Sequence, residues 1–328
     1  METVFVIGSN SFSGASFVDF ALQKGVRVIG TSRSAEPIDA MLPYKWRDHS
    51  HFAFHELDLN KDLKGISELI DSVKPKHVVN FAAQSMVGES WQHPQDWFMT
   101  NVVSTINLHD FLRKCDFLEK YVHVSTPEVY GSCSGFVDES FPFNPSTPYA
   151  VSRAAADMSL RTFHTAYKFP VVTTRAANVY GPGQQLYRII PRTILFILLG
   201  RKLQLHGGGV STRSFIHMAD VSDATWKIML IGHDGDTYHI STSEVVSIRE
   251  LVERICFKLK VNFEDHVEMV GERLGKDSAY HLDSTKLRKE LGWSDRVGLD
   301  QGLDECIAWV KKNFEDLKAS NYDYTHKP

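Results

Sequence analysis

The first half of the chain alternates short, continuous apolar runs with longer segments of helical pattern. The runs are VFVIG at 4–8, VRVIG at 26–30, HVVNFAA at 77–83, YVHVST at 121–126 and PVVTTRAAN at 170–178. Parallel strands that are covered by helices on both faces are apolar throughout, rather than alternating with polar residues. The pattern therefore predicts an α/β fold built on a Rossmann-type, doubly wound parallel sheet.

The second half has a looser pattern. After about residue 180, loops rich in glycine and basic residues appear, and a helical segment, SIRELVERICFKL, then follows. Ser247 and Glu250 in that segment have the spacing of a capping box. We expect a dinucleotide-binding domain over 1–178 and a smaller C-terminal α/β substrate lobe over 179–328, with some later segments returning to the first domain.

Composition and charge exclude several classes of function. The 328 residues carry a formal net charge of -4, which offers no general attraction to nucleic acid or to an anionic membrane. No run of about 18 apolar residues is present, so we expect no membrane span. The chain begins directly with an apolar strand, and its four cysteines match no metal-binding or redox spacing. We expect a cytoplasmic protein with reduced thiols and without a metal.

The segment GSNSFSG at 8–14 leaves the first strand and opens a helix. A dinucleotide pyrophosphate rests on backbone N–H groups at such a position. Gly8 allows the tight turn and Gly14 allows close packing of helix on sheet. Ser11 replaces the middle glycine of the usual motif, and its hydroxyl can donate to a phosphate.

The second strand ends in GTSRSAE at 30–36, without the acidic residue that grips a ribose 2′-hydroxyl in NAD-binding chains. Ser32, Arg33 and Ser34 suit a 2′-phosphate instead, which favours NADP, with NAD as the alternative. Arg33 as a solvated loop residue is the competing interpretation. Asp58 has the position to hold the adenine edge, or equally to cap a loop.

Tyr149 and Arg153 are spaced i, i+4 and therefore share one face of a predicted helix. Pro148 suits the first helical turn, and Ser146 or Thr147 can cap it. A phenol has an ordinary pKa near 10, and a cation about 5 Å away stabilises the phenolate by about 3 kcal/mol, or about two pKa units. No Tyr-x-x-x-Lys occurs in the chain. Arginine supplies the charge of lysine but not its compact, rotatable ammonium.

The segment VSTPEVYG at 124–131 ends another predicted strand at the carboxyl edge of the sheet, where sites form in α/β folds. Ser125, Thr126 and Glu128 would project from it towards a cofactor. A threonine hydroxyl can hydrogen-bond a sugar hydroxyl that is being oxidised, and Glu128 can remove a proton α to the resulting ketone. A surface carboxylate is the alternative for Glu128.

These motifs form an ordered set with others along nearly the whole chain: FAAQS at 81–85, PYAVSR, RAANVYGPGQ, RIIP, RSFIHMADV and YHLDSTKLRKELGW. The set resembles the extended short-chain dehydrogenase/reductase family, and most closely its nucleotide-sugar 4,6-dehydratase branch. The resemblance implies oxidation at sugar C4, loss of water across C5 and C6, and hydride return to C6. It also implies a nucleotide-diphosphate sugar bound at the C-terminal lobe and a homodimer.

The resemblance carries over residue by residue. Tyr149 would be the base for the C4 hydroxyl with Thr126 assisting it, Glu128 would take the C5 proton, and Arg153 stands where the family has lysine. The implied cofactor-binding residues are Gly8, Asn10, Ser11, Phe12, Gly14, Arg33, Asp58, Leu59, Ala82, Asn101, Ser125, Tyr149 and Arg153. The implied substrate-binding residues are Gln84, Ser85, Asn178, Arg188, Arg213 and Arg273.

Three departures from the family pattern keep other functions open. They are Ser11, Arg153 and Pro127, which stands where dTDP-glucose dehydratases carry the acid that helps to expel the C6 hydroxyl. With Pro127, either Glu128 performs both proton transfers or no water is eliminated. The alternatives are a C4 epimerase or keto-sugar reductase of the same family, or a catalytically weak protein that binds NAD(P) or a sugar nucleotide.

Overall fold

The computed structural model describes residues 1–271 and 281–327. Its strands, in chain order, are β1 (Thr3–Ile7), β2 (Arg27–Ser32), β3 (Phe52–Glu56), β4 (His77–Asn80), β5 (Lys120–Val124), β6 (Phe136–Val137), β7 (Val171–Ala176), β8 (Asn178–Tyr180), β9 (Leu203–His206), β10 (Thr212–Arg213), β11 (Phe215–His217), β12 (Thr237–Ile240), β13 (Val246–Ser247), β14 (Val267–Val270) and β15 (His281–Leu282).

The helices follow the strands in an alternating order through the first half. They are α1 (Phe12–Gln23), α2 (Leu63–Val73), α3 (Pro94–Phe98), α4 (Thr105–Leu112), α5 (Pro148–Tyr167), α6 (Ile189–Leu198), α7 (Met218–Ile231), α8 (Ile248–Leu259), α9 (Phe263–His266), α10 (Thr285–Leu291), α11 (Leu299–Lys312) and α12 (Phe314–Lys318). A π-helical turn, Met99–Ser104, joins α3 to α4.

Seven strands form the central sheet in the order β12-β7-β5-β4-β1-β2-β3. Every neighbouring pair in it is parallel. The chain order reverses between β1 and β4, and ligands of open α/β sheets bind beside such a switch point, at the carboxyl ends of the strands. The prediction of a Rossmann-type doubly wound sheet is confirmed.

Helices cover both faces of the sheet. Because successive strand residues point to opposite faces, alternate residues of one strand join different cores. Val4 and Val6 of β1 join the core that contains α1 and α7. Phe5 and Ile7 join a second core, with α2, α4 and α5. This explains why the strand sequences are apolar throughout.

The second half of the chain divides between the two lobes. Strand β12 is an edge strand of the central sheet, and α7 and α10 pack into the core of the first domain. A separate core joins α6, α8 and α11. The predicted capping box of α8 is present in both directions, since Ser247 Oγ accepts from Glu250 N and Glu250 Oε2 accepts from Ser247 N.

The run PVVTTRAAN forms more than one strand. It divides into β7 in the central sheet and β8, which leaves that sheet and pairs in parallel with β11. Within 1–271 and 281–327, no helix combines the length and the apolar character needed to cross a membrane.

Candidate active site

The turn between β1 and α1 has the geometry that its glycines require. Gly8 has a φ of +80°, and a Cβ there would lie 2.7 Å from Ala82 N on the neighbouring strand end. A Cβ on Gly14 would lie 2.1 Å from Gly8 O. Both positions therefore exclude a side chain, and the first turn of α1 presents backbone N–H groups at the carboxyl edge of the sheet.

Ser11 has a different role from the one that its hydroxyl suggests. It is the N-cap of α1, because its Oγ accepts from Gly14 N at 3.1 Å. The same hydroxyl donates to Gly8 O at 2.7 Å. The single hydroxyl proton is therefore used within the turn, and the expected donation to a phosphate is not the geometry found.

Asn10 joins this turn to the end of β2. Its backbone N donates to Ser32 Oγ at 3.1 Å and its Nδ2 donates to Ser34 O at 2.7 Å. Arg33, between those serines, donates from Nη1 to Lys327 O at 2.9 Å. The end of β2 thus presents hydroxyls and a guanidinium at the place where a carboxylate would mark an NAD-specific site.

Asp58 and Leu59 lie just beyond β3 and are buried. Asp58 Oδ1 accepts from Asn60 N at 2.9 Å, which closes a local turn. Phe12 is buried in the first turn of α1, and Ala82 N donates to Asn80 Oδ1 at 2.9 Å at the end of β4. These residues line the carboxyl edge of the sheet on both sides of β1.

Asn101 lies in the π-helical turn and fixes the segment after β4. Its Oδ1 accepts from Gln84 N at 2.9 Å, and its Nδ2 donates to Gln84 O at 3.0 Å and to Ser152 Oγ at 2.9 Å. One amide therefore ties the FAAQS segment to α5. π-Helical turns of this kind are frequent at functional sites.

Tyr149 stands in the first turn of α5. Thr147 is the N-cap, since its Oγ1 accepts from Ala150 N at 3.1 Å, and Pro148 occupies the first helical position. The phenol is buried and hydrogen-bonds Thr126. Thr126 in turn accepts from Glu128 N at 3.3 Å and caps a short helical turn, Pro127–Tyr130.

The pKa of Tyr149 is raised above its usual value. Burial is the main cause and the Glu128 carboxylate adds to it, while Arg153, the Thr126 hydrogen bond and Arg188 act in the opposite direction. The expected lowering by Arg153 is therefore present, but burial outweighs it. These effects also show that Glu128 and Arg188 lie within electrostatic reach of the Tyr149 phenol.

Arg153 is buried, and its guanidinium is held against β5. Its Nη2 donates to Val124 O, and the same nitrogen lies 3.4 Å from His123 Nε2. Both contacts are made by Nη2, which lies one bond further from the backbone than the ammonium nitrogen of a lysine would. Arginine at this position is thus integrated into the strand end beneath the site.

A buried carboxylate, Asp157, lies one further turn along α5. Ser125 Oγ donates to Asp157 Oδ2 at 2.7 Å, and Arg175 Nη2 donates to the same oxygen at 2.8 Å. Burial raises the pKa of Asp157, but the charge of Arg175 and the contact with His123 outweigh it and hold the pKa well below its usual range. Ser125 is therefore oriented by a charged partner.

Hydrogen bonds connect Arg175 to β12, the edge strand of the central sheet. Arg175 also donates to the Tyr130 hydroxyl, and Tyr130 Oη lies 2.7 Å from His239 Nε2 on β12. We call His123, Tyr130, Asp157, Arg175 and His239 the buried polar cluster. Sequence reasoning missed it, although Asp157 follows Arg153 at the same i, i+4 spacing that joins Arg153 to Tyr149.

The predicted substrate residues belong to several elements. Gln84 is buried and donates from Nε2 to Lys327 O at 2.6 Å, whereas Ser85 is exposed. Asn178 begins β8, and Arg188 is the residue before α6.

The predicted substrate set has two further arginines, Arg213 and Arg273. Arg213 is buried in β10 and donates to Thr212 O at 2.7 Å. The predicted site at Arg273 lies outside the described residues.

One group of possible metal ligands occurs among the described residues. Atoms of His233, Asp236 and Glu290 lie within 4.8 Å of one another. His233 and Asp236 precede β12, Glu290 lies in α10, and Lys286 Nζ lies 3.0 Å from Asp236 Oδ2. An ammonium therefore already balances this charge, and the group is separate from the site described above.

Comparison with known proteins identifies the family. The family model described as GDP-mannose 4,6 dehydratase matches residues 5–306. The chain belongs to this family. It is 30% identical over 333 residues to a dTDP-glucose 4,6-dehydratase of Xanthomonas campestris, with 95% of this chain and 94% of the relative covered. The dTDP-D-glucose 4,6-dehydratase of Homo sapiens is 35% identical over 256 residues, with 76% and 73% covered.

Solved structures of family members have the same fold. The dTDP-glucose 4,6-dehydratase of Streptomyces venezuelae, solved with NAD bound, has a TM-score of 0.89 at 29% identity, with 95% of this chain and 98% of that chain covered. A UDP-glucose 4-epimerase of Thermus thermophilus, also solved with NAD, has a TM-score of 0.86 at 25% identity, with 94% and 99% covered. The predicted membership in the nucleotide-sugar 4,6-dehydratase branch is confirmed.

Proposed function

We propose that the chain is an NAD(P)-dependent nucleotide-sugar 4,6-dehydratase that yields a 4-keto-6-deoxy sugar nucleotide. The observation that carries the proposal is the grouping of three side chains at the carboxyl edge of the sheet. The Tyr149 phenol hydrogen-bonds Thr126, and the charge of Glu128 acts on the same phenol. Tyr149, the base for the sugar hydroxyl, and Glu128, the base for the C5 proton, thus lie close to each other.

Tyr149 accepts the proton of the sugar C4 hydroxyl as C4 is oxidised, and Thr126 holds that hydroxyl. The positive charges of Arg153 and Arg188 favour the phenolate and oppose the effect of burial. Asp157 accepts a hydrogen bond from Ser125, and His123 contacts both Arg153 and Asp157. These contacts fix the geometry of the base, which is worth more to catalysis than charge alone.

Glu128 removes the proton from C5, next to the C4 ketone. Pro127, the first residue of the turn that holds Glu128, has no proton to donate. We propose that Glu128 hands the C5 proton to the departing C6 hydroxyl, which leaves as water. One carboxylate then completes the proton balance of the elimination without a second acid. When hydride returns to C6, C5 takes a proton that Glu128 has gained from solvent, while the C4-hydroxyl proton held by Tyr149 is released to solvent.

The cofactor would lie across the turn at 8–14 and the ends of β2, β4 and β5. When bound, a nicotinamide dinucleotide accepts the hydride from C4 and returns it at C6. Gly8 and Gly14 keep the turn tight and packed against its neighbours, the roles of the first and third glycines in a dinucleotide-binding turn. Asn10, Arg33, Asp58 and Asn101 hold the surrounding segments.

NADP is the cofactor that the end of β2 favours, because Ser32, Arg33 and Ser34 offer hydroxyls and a positive charge to a 2′-phosphate. The solved relatives named above contain NAD. Titration of the chain with NADP⁺ and NAD⁺ separates the two. A lower Kd for NAD⁺ would contradict this assignment and leave the fold and the reaction class intact.

The substrate would be a nucleotide-diphosphate sugar, with Arg188 and Arg213 as its diphosphate contacts, since the arginine fork matches phosphate oxygens. Arg273 belongs to the same predicted set, and Gln84, Ser85 and Asn178 would contact the sugar. The relatives are named for dTDP-glucose and the family model for GDP-mannose. Those two sugar nucleotides are therefore the first to test.

The deciding experiment incubates the purified chain in deuterated water with dTDP-glucose, GDP-mannose, UDP-glucose and CDP-glucose. We expect a product from one of them that lacks one water and carries deuterium at C5, detected by mass spectrometry and NMR. Glu253→Gln, at an exposed carboxylate of α8, serves as the control variant that keeps full activity. No dehydrated product from any of the four substrates would contradict the proposal.

A C4 epimerase or a keto-sugar reductase is the second candidate, and Pro127 is the observation that favours it. Neither reaction needs an acid at C6. An epimerase would give a product of unchanged mass, whereas a reductase would release oxidised cofactor in proportion to substrate consumed. A dehydratase regenerates its cofactor in each cycle. A catalytically weak binding protein would bind dinucleotide and sugar nucleotide without any product.

A homodimer is proposed from an apolar surface on neighbouring elements. Met99 and Val103 of the π-helical turn and Val151 and Met158 of α5 are each at least 40% exposed. The Asn101–Ser152 hydrogen bond joins these elements. A second copy of the chain would cover this surface, and light scattering of Met158→Glu against the unaltered chain tests it. None of the four cysteines forms a disulfide, which suits the proposed cytoplasmic location.

A further inference from the structure

The last described residues of the chain contact first the C-terminal lobe and then the first domain. We call residues 321–327 the tail strap. Its first part is fixed to the lobe, because Arg192 of α6 donates from Nη1 to Tyr322 O at 3.0 Å and pairs with Asp323 at 3.1 Å. The Tyr322 ring lies 6.2 Å from the Phe196 ring, edge to face.

The middle of the strap lies among the predicted substrate residues. The Tyr324 ring meets the Tyr187 ring edge to face at 5.5 Å. Burial and the Tyr187 phenol raise the pKa of Tyr324, and Arg33, Glu89 and Arg188 also act on it. Tyr324 therefore lies between the end of β2 and the start of α6.

His326 binds the strap to the first domain. Its ring stacks on His93 at 4.9 Å with an interplanar angle of 2°, and on Trp97 at 5.1 Å with an angle of 12°. Its Nε2 lies 2.7 Å from Asp96 Oδ2. His93, Asp96 and Trp97, on or beside α3, thus all contact the imidazole of His326.

Lys327 contacts residues that follow two strands of the central sheet, β2 and β4. Its carbonyl oxygen accepts from Arg33 Nη1 at 2.9 Å and from Gln84 Nε2 at 2.6 Å, and its Nζ lies 3.3 Å from Ser34 Oγ. Arg33 follows β2 and Gln84 follows β4, and these strands flank β1 in the sheet. A dinucleotide bound at the switch point must cross between these ends.

We propose that the tail strap is an autoinhibitory cover, whose backbone and side chains use the donors that a dinucleotide and a sugar nucleotide require. This proposal rests on the cofactor site proposed above. Ligand binding then requires the strap to leave Arg33, Ser34 and Gln84. The apparent affinity for a ligand falls by the fraction of molecules whose strap is open.

The test compares the full chain with a chain that ends at Asp323, which keeps the contacts of Arg192. Calorimetric titration with NADP⁺ and NAD⁺ gives the Kd of each. A strap closed in about nine molecules of ten predicts a Kd about tenfold lower for the shortened chain. His326→Ala should lower the Kd in the same direction by less. His233→Ala, at an exposed histidine outside the strap, should leave it unchanged.

Hydrogen exchange on the intact full chain provides a readout that needs no variant. Amides of 321–327 should exchange faster when the dinucleotide is present than when it is absent. Equal Kd values for the two chains, or slower exchange of the strap with ligand, would overturn the strap proposal alone. If neither chain binds either dinucleotide, the cofactor assignment and the strap proposal fail together.

Discussion

The cofactor turn and the buried polar cluster differ in how the chain assembles them. The turn is seven consecutive residues, 8–14, whose glycines are required by backbone contacts within the turn and with the end of β4. The buried polar cluster draws one residue each from β5, the turn after β5, α5, β7 and β12. A local motif is therefore visible in the sequence, whereas the cluster exists only once the sheet has formed. We expect the cluster to be the more sensitive of the two regions to substitution.

Asp157→Asn should have the largest effect on stability. It removes the carboxylate that pairs with Arg175 at 2.8 Å in a buried position. Loss of one partner of a buried ion pair costs about 3–5 kcal/mol, because the remaining charge stays buried. Urea unfolding measures this difference. Asp110→Asn, at an exposed carboxylate paired with Lys114, is the control and should have a much smaller effect. Equal losses for both variants would show that the cluster has no special role.

His239 should make stability depend on pH. Burial, with a further contribution from Arg175, lowers the pKa of His239 from 6.5 to about 3. The unfolded chain binds a proton below pH 6.5 while the folded chain does not, so this stability is present above pH 6.5 and is lost as the pH falls. Between pH 6.5 and 4.5 the loss from this one group is about 2 kcal/mol.

Unfolding of the unaltered chain and of His239→Asn at both pH values isolates this contribution. The variant should show the smaller decrease, and His233→Asn, at an exposed histidine, should behave as the unaltered chain does. The same pH dependence in all three proteins would contradict the assignment of a neutral, buried His239.

Arg153→Lys separates charge from geometry at the boundary between the buried polar cluster and Tyr149, the proposed base. Lysine keeps the positive charge, but its ammonium lies one bond nearer to the backbone than Nη2, the nitrogen that contacts both Val124 O and His123. We expect kcat to fall about tenfold, or about 1.4 kcal/mol, with the fold retained. Arg161→Lys on the exposed side of α5 is the matched control. A gain in kcat would mean that the site is a relic of a lysine enzyme.

Ser11→Gly should have the smallest effect. It restores the middle glycine of the motif and removes the N-cap hydroxyl of α1, and a serine-to-glycine change at an N-cap costs only a few tenths of a kcal/mol. Thermal unfolding and dinucleotide titration measure both consequences. Gly14→Ala is the contrasting variant, since its Cβ would meet Gly8 O at 2.1 Å. Similar losses for the two variants would contradict the geometry of the turn.

The sequence was sufficient for the fold class and for the features that consecutive residues determine. The apolar strand runs predicted the parallel sheet, and Pro148, Ser247 and Glu250 predicted two helix starts. Ser146 and Thr147 were both candidates for the cap of α5, and the structure has Thr147. The same reasoning assigned Ser11 to a phosphate, because nothing in the sequence shows that Gly14 N and Gly8 O use its hydroxyl first. It also gave Arg153 control of the Tyr149 pKa, because burial is a property of the folded chain.

Contacts between distant segments lay beyond sequence reasoning. The pairing of Asp157 with Arg175 joins α5 to β7, and the contacts of Lys327 join the end of the chain to Arg33 and Gln84. No spacing rule relates residues 243 or 294 positions apart. Such contacts follow from the strand order of the sheet, which the sequence pattern indicates only as a class.

The most direct test of the proposed reaction is a single turnover of Glu128→Gln with the sugar nucleotide that the unaltered chain dehydrates. Because Tyr149 and Thr126 are intact, oxidation at C4 should proceed, so reduced cofactor should accumulate. Rapid-quench mass spectrometry should find the 4-keto sugar without loss of water. Loss of water at the rate of the unaltered chain would contradict the role of Glu128 and, with it, the proposed elimination.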